Sequence, residues 1–538
     1  MIVFLFACQM LEKTTITFET NGGTSIESLT VQKDSSIVLP DDPIKEGYTF
    51  LGWYLDSLFE DAFEQNIELS KSITLYAKWS PNLYTISFQS NSNYDDTPIH
   101  FYVEEQITLP TITKENYSFN GWYMDESFNE MFTLTHMPAH NLVLYAKWSY
   151  TQTGLPVFHI TLPHTQLYLV SREFYVDAFI SITNTQDEYV ITNEKAELRG
   201  RGNGSWTYDK KGYRIKFESR QSLFGEARSR HWVLVAGGHD QSSVRNHVAY
   251  SLVNDVLDHI EYQTSVYLVE VYVNQNYHGV YSLFEHIRVD KDRIDIESEY
   301  GILDTGYLLE YDSYASGTNG IDYFRVSGLK YPFSIKSPDP TEFQDSISES
   351  TYRAQINYIK NYMESVFGYV FAHDFESLST LVDVNSMVDM YIIHELFKNT
   401  DTGWSSFYLY KKPGGKLYFG PAWDFDFSSG ISRGESSYQG LYVSNTIRYH
   451  SGFTSSELYI ELMKQETFVQ LVKDRYIEVH ELIHQKINEL FQEILLYEDA
   501  FQRDGQRWWI NTNWKMHQQA LQTWLLNRNN WLYQWAHS

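Results

Sequence analysis

One passage near the N-terminus occurs twice. Gly47-Tyr48-Thr49-Phe50-Leu51-Gly52-Trp53-Tyr54 returns as Asn116-Tyr117-Ser118-Phe119-Asn120-Gly121-Trp122-Tyr123. Leu75-Tyr76-Ala77-Lys78-Trp79-Ser80 returns as Leu144-Tyr145-Ala146-Lys147-Trp148-Ser149. Both returns fall 69 residues on, so the interval is kept along with the motifs. Each copy opens on an alternating strand, with Thr14, Ile16 and Phe18 in the first and Tyr84, Ile86 and Phe88 in the second. Each carries a Gly-Trp pair and closes on an aromatic strand. The spacing predicts two small all-β modules in tandem, residues 13–80 and 81–149. Gly52 and Gly121 supply permissive backbone beside a packed tryptophan. Neither copy carries chemistry-bearing residues in a recognisable pattern.

These modules resemble the Listeria–Bacteroides (internalin B-type) repeat of bacterial surface proteins. Copy 2 departs at its first turn, where Asn21-Gly22-Gly23 becomes Asn91-Ser92-Asn93. The resemblance implies a stalk or adhesive spacer. Ahead of the repeats, Ile2-Val3-Phe4-Leu5-Phe6-Ala7 runs into Cys8, the chain's one cysteine. Residues 1–12 read as the tail of a truncated bacterial lipoprotein signal, in which Cys8 would carry a lipid anchor to the membrane. A single cysteine excludes internal disulfides and thiolate metal cages. After the repeats, residues 150–156 read as an exposed linker.

The remainder, 157–538, changes character along its length. Phe158 to Ile182 holds short alternating runs. Leu198-Arg199-Gly200-Arg201-Gly202-Asn203-Gly204-Ser205-Trp206 is a glycine-rich turn, followed by Lys210-Lys211 and the strand Tyr213-Arg214-Ile215-Lys216-Phe217. Such glycines allow backbone amides to approach an anion, although an ordinary hairpin turn needs them too. Asp240 to Asp255 predicts an amphipathic helix capped by Asp240 or Ser242. Val266–Val273 and Tyr277–Glu285 predict a strand pair. From about Thr351 the pattern turns helical, with one helix over Val382–Lys398 and a Trp- and Gln-rich helical region from about Ser455 to the C-terminus.

Three carboxylates punctuate this helical part. Asn399-Thr400-Asp401 precedes a hairpin, Ser406–Tyr410 and Leu417–Phe419 about the turn Lys412-Pro413-Gly414-Gly415-Lys416. Gly420-Pro421-Ala422-Trp423-Asp424-Phe425-Asp426-Phe427 leaves it. Carboxylates at the ends of apolar strands are costly near a core unless a cation offsets them. Hard divalent ions take oxygen ligands and commonly bridge to phosphate, so the pattern suggests metal-dependent phosphoryl transfer or hydrolysis. Turn aspartates capping strand ends account for the same residues without chemistry. The formal net charge of −28 disfavours nucleic acid and favours basic protein partners.

Taken in order, several motifs form a set. They are Arg199-Gly200-Arg201-Gly202-Asn203 with Trp206; Lys210 to Phe217; Trp232; Arg245-Asn246; Glu270 to Glu285; Gly306 to Glu310; Asn399 to Asp401; and Gly420 to Asp426. From about residue 155 onward the chain resembles the CotH family, the spore-coat-type atypical protein kinases. That resemblance implies a multidomain protein in which two small all-β repeats precede an α+β atypical protein-kinase-like domain with a helical C-terminal part. It further implies ATP with Mg²⁺ or Mn²⁺, and phosphorylation of Ser or Thr in secreted, surface or coat proteins, with basic, Ser-rich substrates.

By position the resemblance makes Asp401 the catalytic aspartate. It makes Asp424 a metal ligand. Asp426, on the same side of an extended segment, is a candidate second carboxylate or a strand-end residue that orients the first, and Asn399 is a candidate to complete the metal shell. Lys216 is the expected ATP lysine with Lys211 in reserve, Glu285 its ion-pair partner, and Arg199, Arg201 and Asn203 further cofactor contacts. Arg214 adds to the same basic cluster. After Asp426 the chain reads Phe427-Ser428-Ser429-Gly430, where the family more often has Gly-Asn. The alternatives are a non-catalytic surface or spore-coat assembly or adhesion protein, and a metal-dependent hydrolase; the latter would want histidine-rich metal spacing, which is missing.

Overall fold

The computed structural model describes residues 12–64, 69–92, 94–114, 117–150, 154–202, 204–431, 436–445, 457–508 and 513–538. Cys8, Asn116, Asn93 and Asn203 therefore lie outside the described residues, as do 151–153 of the expected linker. The chain divides into two compact units, 1–152 and 153–538.

In the first unit, β1 (Lys13–Glu19), β2 (Leu29–Gln32), β3 (Tyr48–Tyr54) and β4 (Ile73–Pro81) form a sheet of order β2-β1-β4-β3. In the second copy, β5 (Leu83–Gln89), β6 (Ile99–Tyr102), β7 (Tyr117–Tyr123) and β8 (Leu142–Tyr150) repeat it as β6-β5-β8-β7. The first and last strands of each module pair parallel, Ile16 opposite Ile73 and Ile86 opposite Leu142. The repeated tryptophans are the pivots. Trp53 packs on Phe18 and Trp122 on Phe88, with ring centroids 5.0 Å apart in both copies. Beside each tryptophan the ladder skips register at Gly52 or Gly121, both at positive φ, as the Gly-Trp pairs foretold. The changed first turn of copy 2 keeps its contact: Trp79 Nε1 donates to the Thr20 carbonyl at 2.9 Å, and Trp148 Nε1 to that of Ser90 at 2.7 Å.

The second unit opens on a closed seven-stranded barrel. Its strands are β9 (Val157–Thr161), β10 (Val176–Thr183), β11 (Ile191–Arg201), β12 (Gly212–Gln221), β13 (Ser229–Val235), β14 (Val266–Val273) and β15 (Asn276–Glu285), in order β10-β11-β12-β13-β15-β14-β9. Alternation sends Leu198, Ile215, Trp232 and Leu283 into the barrel core. The residues between them, Arg199 and Arg214, therefore face outward, directly opposite each other across β11 and β12. The stretch read as an exposed linker is partly built into this unit. Leu155 is buried, and the Pro156 carbonyl accepts the Glu270 N–H.

A five-stranded sheet follows, β16 (Tyr307–Tyr311), β17 (Tyr323–Phe324), β18 (Phe333–Ser337), β19 (Phe407–Lys411) and β20 (Leu417–Phe419), ordered β17-β18-β16-β19-β20. Around it lie α1 (Arg245–Val256), α2 (Glu349–Ala372), α3 (Phe375–Leu381), α4 (Val384–Phe397), α5 (Glu457–Leu462), α6 (Glu466–Leu495), α7 (Glu498–Trp508) and α8 (Trp514–Ala536). One apolar core joins the helices to this sheet and to the outer face of β14 and β15. Helix α1 starts five residues later than its pattern suggested. Asp240 is not a helical residue. It binds the Ser242 and Arg245 N–H groups and the Arg245 guanidinium, which fixes the approach to the helix from outside. Among the described residues no helix is long and apolar enough to cross a membrane.

Candidate active site

The barrel and the helical part face each other across a cleft of about 440 Å³. One wall is basic. Arg199 and Arg201 come from β11, Arg214 from β12, and Arg172 from the loop before β10. The opposite wall is acidic, with Asp401, Asp424 and Asp426. The segment carrying the last two is held by an unusual number of side-chain staples. Gln263 exchanges two hydrogen bonds with the backbone of Ala422, at 3.0 and 2.8 Å. From α1, the Tyr250 hydroxyl accepts the Asp424 N–H, and Asn246 Oδ1 accepts that of Phe425. Arg245, paired with Asp240, donates to the carbonyls of Ser428 and Ser429. Asp424 sits at φ +64°, a left-handed conformation that Asp tolerates better than most residues but that still stores strain.

Asn399 joins this segment to the loop after α4. Its amide nitrogen donates to the Asp424 carbonyl at 2.9 Å, and its oxygen accepts the Asp401 N–H at 3.0 Å. The side chain is fully buried with both ends engaged, so it braces Asp401 against the Asp424 segment. Asp401 turns the chain, its carbonyl accepting the N–H groups of Gly403, Trp404 and Ser405.

The electrostatics of the two walls are unresolved within the protein. Burial, then the charge of Asp424, holds the Asp401 carboxyl well above the usual range. Burial, then Asp426, does the same for Asp424. Asp426 is pushed up to about 6, again chiefly by burial. On the other wall, Arg199 and Arg214 form a like-charged cross-strand pair, and the Nε of each is buried without a partner. Arg214 is steadied by His286. The imidazole Nδ1 bonds the Ile287 carbonyl, which leaves Nε2 as the acceptor for the guanidinium. Burial keeps that ring neutral.

Among the described residues, no three His, Cys, Asp or Glu side chains converge as a complete metal cage. A divalent ion of the Mg²⁺ type does not need one, since it commonly uses one or two carboxylates with phosphate and water. Asp424, half-buried, and Asp426, buried, stand two residues apart with their carboxyls raised chiefly by burial, and this pair fits such an ion.

Three residues expected at the cofactor lie elsewhere. Lys216 pairs with Glu197 across the strands at 2.9 Å and does not line the cleft. Alternation puts it on the outward face with Arg214, but two residues farther along, and its cross-strand neighbour is a glutamate. Lys211 folds back on the turn, donating to the Trp206 and Tyr208 carbonyls. Glu285 is paired with Arg293, so the expected Lys216–Glu285 pair does not form. The glycines of the turn also serve packing more than anion approach. A Cβ at Gly200 would meet the Trp206 ring at 2.1 Å and one at Gly202 the Ser205 hydroxyl at 2.1 Å, whereas Gly204 borders open space.

Other cleft residues went unread in the sequence. His239 stacks on Phe427 with centroids 3.8 Å apart and approaches Asp426 to 3.6 Å. The Gly237-Gly238-His239 run was its available signal. Tyr314 and Trp404 line the side of Asp401 in edge-to-face contact. For these and for Arg172 the sequence offers no motif.

The family profile described as CotH kinase protein matches residues 198–532. That described as the Listeria-Bacteroides repeat domain matches 15–78 and 84–147. A putative membrane protein of Evansella cellulosilytica is 38% identical over 147 residues, 27% of this chain and 22% of that protein. Internalin H of Listeria monocytogenes is 32% identical over 146 residues, 26% of each. The chain thus spans about a quarter of the length of these curated relatives. The crystal structure of the Helicobacter pylori proinflammatory kinase CtkA is similar with a TM-score of 0.25 at 10% identity, covering 68% of this chain and 97% of that one.

Proposed function

Because the chain belongs to the CotH kinase protein family, we propose that its cleft transfers the terminal phosphoryl group of ATP to a Ser or Thr hydroxyl of a protein. The observation that carries this reading is the opposition of two like-charged clusters, Asp401, Asp424 and Asp426 against Arg172, Arg199, Arg201 and Arg214. A magnesium or manganese triphosphate is the one ligand class that offers both a cation to the first wall and an anion to the second. A scaffold with no ligand would have no use for either imbalance, which ranks the catalytic reading above an assembly or adhesion role.

In this reading Asp424 and Asp426 hold the divalent ion. When bound, that ion offsets charge on the phosphates and on both carboxylates. Asp401 orients the acceptor hydroxyl and takes its proton as the oxygen attacks phosphorus and the bond to the ADP leaving oxygen breaks. The arginine wall binds the phosphates. Asn399 fixes the spacing of Asp401 and Asp424 through its two hydrogen bonds. The acidic surface favours a basic, Ser-rich protein acceptor. The location in this reading is the bacterial cell surface, outside the cytoplasm, in keeping with the putative membrane protein among the relatives of the repeats; a spore coat is the alternative, and a lipid at Cys8 is one route of attachment. Transfer of label from ATP to a basic Ser-containing peptide, in the presence of Mg²⁺ or Mn²⁺, tests the reading. Lack of transfer with either metal, together with no metal-dependent binding of ATP, would remove it.

A further inference from the structure

The base of the glycine-rich turn is anchored by a residue nearly three hundred positions away. Lys210 is buried, and its Nζ pairs with Asp504 of α7 at 2.8 Å and donates to the Val280 carbonyl at 2.6 Å. The same Asp504 oxygen accepts the Val280 N–H at 3.0 Å. Helix α7 lies close against β15 because Gly279 lets it. A Cβ there would sit 2.2 Å from Asp504 Oδ1, and the residue has φ +116°. The helix is tied down at both sides of this point. Arg503 makes two bonds to Glu270 at 2.9 and 2.7 Å, and Trp508 Nε1 donates to the His278 carbonyl at 2.8 Å.

From Lys210 the connection continues into the cleft. Lys211 closes the turn by holding the Trp206 and Tyr208 carbonyls. The Tyr208 ring lies against His239, centroids 5.2 Å apart, and His239 stacks on Phe427 beside Asp426. The turn itself contributes Gly202, Gly204 and Ser205 to the cleft wall.

We propose that Asp504 is a positioning residue for the cleft. Through Lys210 it seats the glycine-rich turn, so that helix α7 sets how closely residues 204–208 cover a bound nucleotide. Neither residue touches the cleft. Their effect passes through the turn's backbone and the Tyr208–His239–Phe427 stack. The pair seats the turn through the Val280 carbonyl and N–H as well as through its own charges, so removing one member or both leaves those backbone groups without the partners that hold it. The proposal rests on the phosphotransfer reading only for its kinetic arm.

The test uses the full chain with Asp504→Asn, and with Lys210→Met/Asp504→Leu, which removes both charges together and keeps the site packed. Amide hydrogen exchange over residues 204–212 should quicken roughly tenfold in both variants, with exchange in β13 and β14 unchanged. The KM for ATP should rise roughly tenfold with kcat within about twofold, since the variants loosen the cover without touching the reacting atoms. Unchanged exchange over 204–212, or a rise shared equally by the whole barrel, overturns the proposal. So does a fall in kcat at constant KM. If the parent enzyme transfers no phosphate, the kinase reading fails while the exchange measurement still decides the role of Asp504. Should Asp504→Asn fail to fold, the double variant decides by the same readouts.

Discussion

In the repeats, Asp56 accepts the N–H groups of Leu58, Glu60 and Asp61, and its counterpart Asp125 accepts those of Asn129 and Glu130. In the cleft, Asp401, Asp424 and Asp426 stand beside one another. The residue type is the same and the outcome is opposite. Donated backbone hydrogen bonds, that from Asp61 foremost, hold Asp56 below the usual carboxylate range, and Glu130 leads the same effect on Asp125. Burial holds all three cleft carboxylates above it. Lys78 and Lys147 each lie over two aromatic rings; Arg199 also lies over one, that of Tyr175, but stands directly opposite the like-charged Arg214. The repeats settle these aspartates and lysines locally, in the same way in both copies. The cleft sets like charges side by side on each wall, and perturbed groups gathered in a cleft are candidates for function.

The largest effect should come from the open side. Asp401→Ala is expected to lower transfer by roughly 10²- to 10⁴-fold with ATP affinity little changed, read by steady-state kinetics beside nucleotide titration. Parent-rate turnover would return Asp401 to the role of a loop-closing residue. On the closed side, Trp122→Ala should cost the repeat unit about 3–5 kcal/mol, since it removes a buried ring from the centre of the second module. Differential scanning calorimetry should show that transition fall while phosphotransfer is unaffected. A shared loss of both would mean the two regions do not behave separately.

A third substitution makes the open side more like the closed one. Asp426 titrates near 6 when folded, against about 4 when unfolded, so its ionised form destabilises the fold. Without divalent ions, Asp426→Asn should therefore be more stable than the parent at pH 8, by an amount of order 2 kcal/mol. The gap should shrink as pH falls through 6 and vanish below about 3, where the parent's carboxyl is protonated in both states. Urea denaturation across that range reads the sign, and a gap that widens toward acid would contradict it. The smallest effect belongs to Lys147→Met, which removes a cation from over Tyr123 and Phe128 and should cost under about 1 kcal/mol.

The repeats were legible because period and aromatic pivots are local. Trp53 and Trp122 announce their own burial, and even the altered turn of copy 2 kept its hydrogen bond. The acidic wall was legible for a related reason, as Asp401, Asp424 and Asp426 flank one hairpin within 26 residues. The basic wall was half legible. The run from Arg199 to Arg214 pointed to the right strands, but the choice among its cations is made by strand register, which pairs Lys216 with Glu197 and sets Arg214 against Arg199. Glu285 was misread because its partner Arg293 lies in an irregular stretch with no pattern. Helix α1 began late because Asp240 binds the Ser242 and Arg245 N–H groups and the Arg245 guanidinium, a local arrangement ahead of the first turn rather than a cap on it.

Deep in the helical part, Arg528 of α8 pairs with Glu395 of α4, both without solvent exposure, and Glu395 also receives the Tyr442 and Val443 N–H groups. The partners are 133 residues apart. A ribosome adding roughly 5–20 residues each second needs on the order of ten seconds to cover that distance. During that interval α4 holds a carboxylate that has no counter-ion to be buried with, and the loop bearing Asp401, which leaves the end of α4, has no settled foundation. Each repeat, by contrast, completes its sheet as soon as its fourth strand is made. Synthesis thus yields finished repeats attached to an unfinished cleft, whose acidic wall waits for the last helix.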